Sequence, residues 1–201
     1  MRLTYLLAFV AVFAGIVFGI VMHGEGTPPD PYPQLPPGQI AFGGPFQLID
    51  HHGQVFTDKD LRGTYALLYF GYTDCPDACP TTLLLVAEAL KKLAAQSDRI
   101  RPVFVNVDPK VTSTERLAGY VAFFHPRLLG LTGTPEQIEQ VKKAYRVYFA
   151  DAMLDGERVI SHSSNLFLLA PDGNVLSYFR SGMEAEDLAR ALQVYTRTGA
   201  R

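Results

Sequence analysis

Apolar positions along the chain change their period several times, and each change marks a different kind of element. Leu3–Met22 is apolar at 17 of its 20 positions and carries no charge. A helix of that length reaches about 30 Å, the thickness of a bilayer's hydrocarbon core. Arg2 precedes the run, and Glu25 and Asp30 are the first charges after it. The positive-inside bias then keeps the short N-terminus in the cytoplasm and exports the rest. No Ala-x-Ala pattern follows the run, which favours an uncleaved anchor over a removed signal peptide. Residues 1–23 are therefore read as a single transmembrane anchor.

Gly24–Pro45 holds seven prolines and five glycines in 22 residues. Such a stretch cannot sustain a helix, and its prolines favour an extended conformation. Residues 24–38 read as a tether and 39–201 as the folded domain, whose roughly 160 residues can bury a core without disulfides.

Within that domain the apolar runs Tyr65–Phe70, Pro102–Val107, Asn165–Ala170 and Val175–Arg180 read as strands. The last two flank Pro171-Asp172-Gly173-Asn174, a strong hairpin turn. A shorter pair, Phe46–Asp50 and Gln54–Thr57, surrounds His51-His52-Gly53 and predicts a minor hairpin. Helical spacing appears at Leu83, Val86, Ala87, Leu90 and Leu93, entered through Pro80. It recurs at Leu117, Tyr120, Val121 and Phe124 behind the capping box Thr112-x-x-Glu115. Thr134-Pro135 opens a third helix with Ile138, Val141 and Tyr145; Ser181-x-x-Glu184 caps a fourth with Ala185, Leu188, Ala189, Leu192 and Tyr195. The order is β-α-β, two helices, a β-hairpin and a final helix. It predicts an α/β domain with a mixed sheet and helices on both faces. The expected fold is thioredoxin-like, with an extra helix and an N-terminal hairpin, preceded by the transmembrane helix.

Composition narrows the function classes. At 48% hydrophobic and 19% charged residues the chain is not a disordered protein, and a formal net charge of −2 offers no basic field for nucleic acid. All 20 acids and 17 of the 18 bases lie beyond the apolar run. Two cysteines are too few for a disulfide-stapled miniprotein or a four-cysteine zinc site.

Those cysteines, Cys75 and Cys79, fall between the first long strand and the first helix. Open α/β sheets place their ligand sites in such loops. Cys79 is expected at or just before the helix N-terminus, where the macrodipole and free N–H groups favour a thiolate. Pro76 and Pro80 stiffen the loop. Two thiolates can close a reducible disulfide or flank one metal ion. With one added imidazole the set suits Cu(I), whereas zinc usually takes a fourth ligand. Of the five histidines, His23 sits at the membrane edge, and His51 and His52 occupy an exposed turn. His125 ends a helix as a partner for its dipole. His162, in Ser161-His162-Ser163 just before the third long strand, is placed to run beside the cysteine loop and is the candidate third ligand.

Phe70-Gly71-Tyr72-Thr73-Asp74-Cys75-Pro76-Asp77-Ala78-Cys79-Pro80 resembles the signature of the Sco/SenC family of membrane-anchored copper proteins. Val107-Asp108-Pro109, Phe124-His125-Pro126 and Ser161-His162-Ser163 extend the resemblance over the whole chain after the tether. The family's Arg-Asp-Thr-Pro-like stretch is replaced by Lys110-Val111-Thr112-Ser113-Thr114, which loses an acid and a proline at the site's rim. The resemblance implies a copper metallochaperone for the dinuclear copper centre of cytochrome c oxidase subunit II, with Cys75, Cys79 and His162 as ligands. Asp77, also in the motif, tunes the thiolates, meets a partner, or is a solvated turn residue.

Cu(I) is the favoured ion, with Cu(II) the second. Other copper chaperones and thioredoxin-like reductases are further partners in this reading. The alternative is a thiol–disulfide oxidoreductase, in which Cys75 and Cys79 cycle to keep the acceptor's cysteines reduced. A short anchor without an Arg- and Ser-rich transit peptide points to a bacterial inner membrane, with the domain in the periplasm.

Overall fold

Tyr65–Gly71 is buried at all seven positions, so both of its faces must be covered. Near-continuous hydrophobic strands of this kind belong inside α/β sheets, where helices lie on each side. The computed structural model describes residues 42–108, 113–154, 157–180 and 182–198. The expected anchor, the whole of the tether, Thr112 and Ser181 lie outside the described residues. No helix among the described residues is long and apolar enough to cross a membrane.

The strands are β1 (Gln47–Asp50), β2 (Val55–Thr57), β3 (Tyr65–Gly71), β4 (Ile100–Asn106), β5 (Leu129–Thr132), β6 (Phe149–Leu154), β7 (Glu157–His162), β8 (Leu166–Leu169) and β9 (Val175–Phe179). Among the described residues four α-helices join them: α1 (Ala78–Leu93), α2 (Thr114–Phe124), α3 (Pro135–Tyr145) and α4 (Ala185–Thr198). Among the described residues seven strands form one sheet in the order β2-β1-β5-β4-β3-β8-β9, and β6 and β7 form a separate two-stranded ribbon. The β3–β4 and β4–β5 pairs are parallel; β1, β2, β8 and β9 join antiparallel.

Alternate residues of β3 feed two cores. Ala66, Leu68 and Phe70 pack with Val103, Val105, Leu131 and Phe167 against Ile138, Val141 and Tyr145 of α3. On the opposite face lie Tyr69 and Gly71, with Phe104 and Cys79 beside them. Leu117 and Val121 of α2 cover Gly130 on that same side. A Cβ on Gly130 would stand 2.8 Å from Leu117 Cγ, so the strand needs glycine there for the helix to approach.

Helix starts follow their caps, with adjustments. Thr134 caps α3 in a reciprocal box with Gln137. For α2 the N-cap is Ser113 rather than Thr112: its hydroxyl accepts from the Arg116 N–H and donates to Glu115. Helix α1 begins at Ala78, two residues before Pro80. The two-helix interval predicted after β4 is interrupted by β5, which draws the β1–β2 hairpin onto the main sheet. A second unpredicted feature, the β6–β7 ribbon, ends at His162.

Candidate metal centre

The site forms where β3 ends. After Gly71 the chain turns through residues 72–77 and enters α1 at Ala78, which puts Cys79 in the first helical turn. The Cys75 N–H donates to the Tyr72 carbonyl at 3.2 Å, closing the turn. Asp77 is the N-cap residue, and its carboxylate accepts from the Thr81 hydroxyl at 3.3 Å. Arg116 of α2 pairs with Asp74 and holds the loop from its outer side.

Both cysteines are free thiols, half-buried at Cys75 and fully buried at Cys79. The Cys79 N–H donates to Cys75 Sγ at 3.3 Å. Tyr69 Oη, two residues before the end of β3, donates to Cys79 Sγ at 3.6 Å. Gly71 makes room for that sulfur: a Cβ there would lie 2.7 Å from Cys79 Sγ and 2.9 Å from Phe104 Cε2.

This packing reverses one expectation. Burial pushes the Cys79 thiol up to about 12, and the backbone donor at Tyr72 and the Tyr69 hydroxyl only partly offset it. At Cys75 burial also opposes ionisation, but the N–H groups of Asp77 and Cys79 outweigh it and bring the thiol below its ordinary range. The thiolate-favouring helix N-terminus therefore acts on Cys75, which faces it, while Cys79 lies within the helix's first turn under the protein. Asp77's contribution to this balance is its backbone N–H.

The third expected ligand arrives from the β6–β7 ribbon. Register places His162 opposite Phe149, whose ring meets Tyr72 edge-on at 6.2 Å. The Ser163 N–H donates to the Tyr148 carbonyl, and the Tyr148 N–H to Ser163 Oγ, pinning the ribbon's exit. An open cavity of about 330 Å³ is lined by Tyr72, Cys75, Pro76, Asp77, Ala78, Ser161 and Ser164. Ser161 and Ser164, on either side of His162, thus border the same space as Cys75; the His162 side chain lies outside the described residues. Among the described residues, no three His, Cys, Asp or Glu side chains converge as a metal cluster.

The other histidines are elsewhere. His51 Nδ1 accepts from the Gly130 N–H at 3.0 Å and its ring meets His52, so it is a hydrogen-bonded turn residue rather than a merely exposed one. His125 is the C-cap of α2; its Nδ1 accepts from the Arg127 N–H at 3.1 Å, and burial and then the nearby Arg127 charge lower its pKa. His23 is outside the described residues. Sequence reasoning missed Tyr69, Gly71 and the ribbon; the Asp155-Gly156 dipeptide between Leu154 and Glu157 was a hairpin signal for the last.

Comparison with known proteins agrees with this layout. The family model described as SCO1/SenC matches residues 35–197. The bovine mitochondrial protein SCO2 homolog is 41% identical over 160 residues, 77% of this chain and 60% of that one. A SCO2-like protein of Rickettsia prowazekii is 33% identical over 93% of this chain and 94% of its own. Among solved structures, copper-bound Arabidopsis thaliana ScoI is 37% identical with a TM-score of 0.74, covering 79% of this chain and 99% of that chain. The chain spans less than two thirds of the length of the mammalian mitochondrial relatives it matches.

Proposed function

The chain belongs to the SCO1/SenC family, and from that premise we propose that it is a copper chaperone acting in cytochrome c oxidase assembly. Copper is its cargo, held between the sulfurs of Cys75 and Cys79 and the imidazole of His162, with Cu(I) favoured and Cu(II) second. The observation that carries this reading is the cavity shared by Cys75 and the residues flanking His162. Two relatives of solved structure, from Arabidopsis thaliana and Bradyrhizobium japonicum, are described with copper bound at 37% and 38% identity.

A soft two-sulfur, one-nitrogen set suits copper better than zinc, which takes a fourth ligand. It also suits delivery. Three ligands leave the ion open to an acceptor's sulfur, which displaces this chain's ligands one at a time. The acceptor in this reading is oxidase subunit II, with other copper chaperones and thioredoxin-like reductases as further partners. The domain is held at a bacterial inner membrane by residues 1–23 and faces the periplasm.

One observation favours a second reading. Cys75 is the accessible sulfur with the depressed pKa, and Cys79 is buried beside it. That is the layout of an attacking thiolate and a resolving thiol, so a thiol–disulfide oxidoreductase acting on the acceptor's cysteines fits the same pair. Loading the full chain with Cu(I) anaerobically, beside its Cys75→Ser and His162→Ala forms, tests the first reading. One copper per chain, weakened in both variants, supports it; undiminished retention in His162→Ala removes the third ligand. If oxidase assembly survives a variant that loses copper but keeps the dithiol, the second reading takes its place.

A further inference from the structure

We propose that Tyr69 is a positioning residue of the metal centre, whose hydroxyl holds the Cys79 sulfur in its buried seat and supports it as a metal-ligating thiolate. The proposal rests on the copper-binding reading above and assigns a role to a residue outside the cysteine loop. Three features meet at one sulfur. Cys79 is fully buried, its sulfur stands over the bare backbone of Gly71, and Tyr69 Oη donates to it at 3.6 Å.

A buried thiolate without donors is costly, because a low-dielectric surrounding strengthens every unmet charge. A hydrogen bond to an ionised acceptor is roughly twice as strong as one between neutral groups. The Tyr69 hydroxyl is fixed for that task. Its ring is buried on β3 and lies 6.2 Å from that of Phe104. Cys75, by contrast, takes its donors from the backbone of Asp77 and Cys79 and the side chains of Cys79 and Tyr72, none of them on β3. Cys79 also takes a donor from the loop backbone at Tyr72, and Tyr69 adds one from the sheet. Transfer to an acceptor then begins at Cys75, the more exposed sulfur, while Cys79 keeps the ion: the Cys75–copper bond breaks as the acceptor's sulfur–copper bond forms, and the freed Cys75 thiolate remains in, or takes a proton from, water.

Tyr65 supplies the internal control. It is a buried tyrosine on the same face of the same strand, but its hydroxyl donates to the Tyr195 carbonyl at 3.1 Å, away from both sulfurs. The test compares Tyr69→Phe, Tyr65→Phe and wild type as full chains in detergent. Loss of a donor to the ligating sulfur raises the sulfur's donor orbitals. The thiolate-to-Cu(II) charge-transfer band should therefore move to longer wavelength in Tyr69→Phe alone. The copper dissociation constant should rise about 10- to 100-fold, the span of one hydrogen bond to a charged group. An unmoved band in Tyr69→Phe, or equal shifts in the two variants, overturns the proposal.

A metal-free measurement covers failure of the variant to fold or of the chain to load. Exchange of the Tyr69 hydroxyl proton with water should accelerate about fivefold or more when its acceptor is removed by Cys79→Ala, with the Tyr65 hydroxyl unchanged. An unchanged rate at Tyr69 overturns the proposal. Absence of copper binding in wild type, with the exchange result as expected, instead sinks the copper reading and leaves the Tyr69–Cys79 contact standing.

Discussion

Replacing Gly71 with alanine adds one methyl at the point where strand, sulfur and aromatic layer meet. The new Cβ would lie 2.7 Å from Cys79 Sγ, 2.9 Å from Phe104 Cε2 and 3.3 Å from Tyr69 Cε1. Ordinary contacts begin near 3.5 Å, so the sulfur or the strand must give by roughly 0.8 Å. Forcing a methyl into a packed core costs about 1–3 kcal/mol, and Gly71 has no positive φ whose loss would add to it. The cost to the site is separate from the cost to the fold. Metal–sulfur bonds near 2.3 Å tolerate only about 0.2 Å, so a sulfur moved several times that far loses its place in the ligand set. Urea unfolding of the metal-free chain gives the first quantity; competition with a chromophoric Cu(I) chelator gives the second. Gly71→Ala should lower stability by about 1–3 kcal/mol and weaken copper at least tenfold. Gly130→Ala places its methyl 2.8 Å from Leu117 Cγ and is a matched overpacking mutant away from the sulfurs. It should lose similar stability and keep its copper. Equal copper affinity in Gly71→Ala and wild type would refute the idea that the glycine exists to seat Cys79.

Three further outcomes follow from the same geometry. Alkylation of the metal-free chain should label Cys75 first, with a pH midpoint below the ordinary thiol value near 8.5, and should spare Cys79 until the protein is denatured; mass mapping of the labelled peptides reads the order. Cys79 has a raised folded pKa, so the stability it contributes is complete below the unfolded value near 8.5 and is lost as pH climbs towards about 12. Cys79→Ala should abolish this alkaline loss in denaturation midpoints, whereas Cys75, with its depressed pKa, contributes above the unfolded value and loses that contribution as pH falls. Arg116→Ala removes an exposed ion pair to Asp74 and should cost under about 1 kcal/mol of stability, while speeding copper release by loosening the cysteine loop; stopped-flow transfer to a chelator measures it.

Long apolar runs and caps made much of the fold legible. Tyr65–Phe70 and Val175–Arg180 announced β3 and β9 because both faces of the first and the turn before the second are written locally. Thr134-Pro135 gave the start of α3 for the same reason. β5 escaped because Leu129–Thr132 is four residues long and holds a glycine. Gly130 weakens the strand signal yet is required by the side chains of Leu117 and Val121, a distant demand no local window contains. The β6–β7 ribbon reads poorly for another reason: Asp151, Ala152 and Met153 are exposed, so burial writes no alternation into them. At the site, the loop, its prolines and the candidate ligands could be named from sequence alone. Which sulfur ionises could not, since that depends on Tyr69 and Gly71 packing over Cys79 across the sheet.

X-ray absorption on the Cu(I)-loaded full chain, wild type beside His162→Ala, tests the central claim most directly. The account predicts two sulfurs and one nitrogen around copper in wild type, with the nitrogen lost in the variant. An identical copper environment in the two chains, or a wild-type site with a single sulfur, would contradict it.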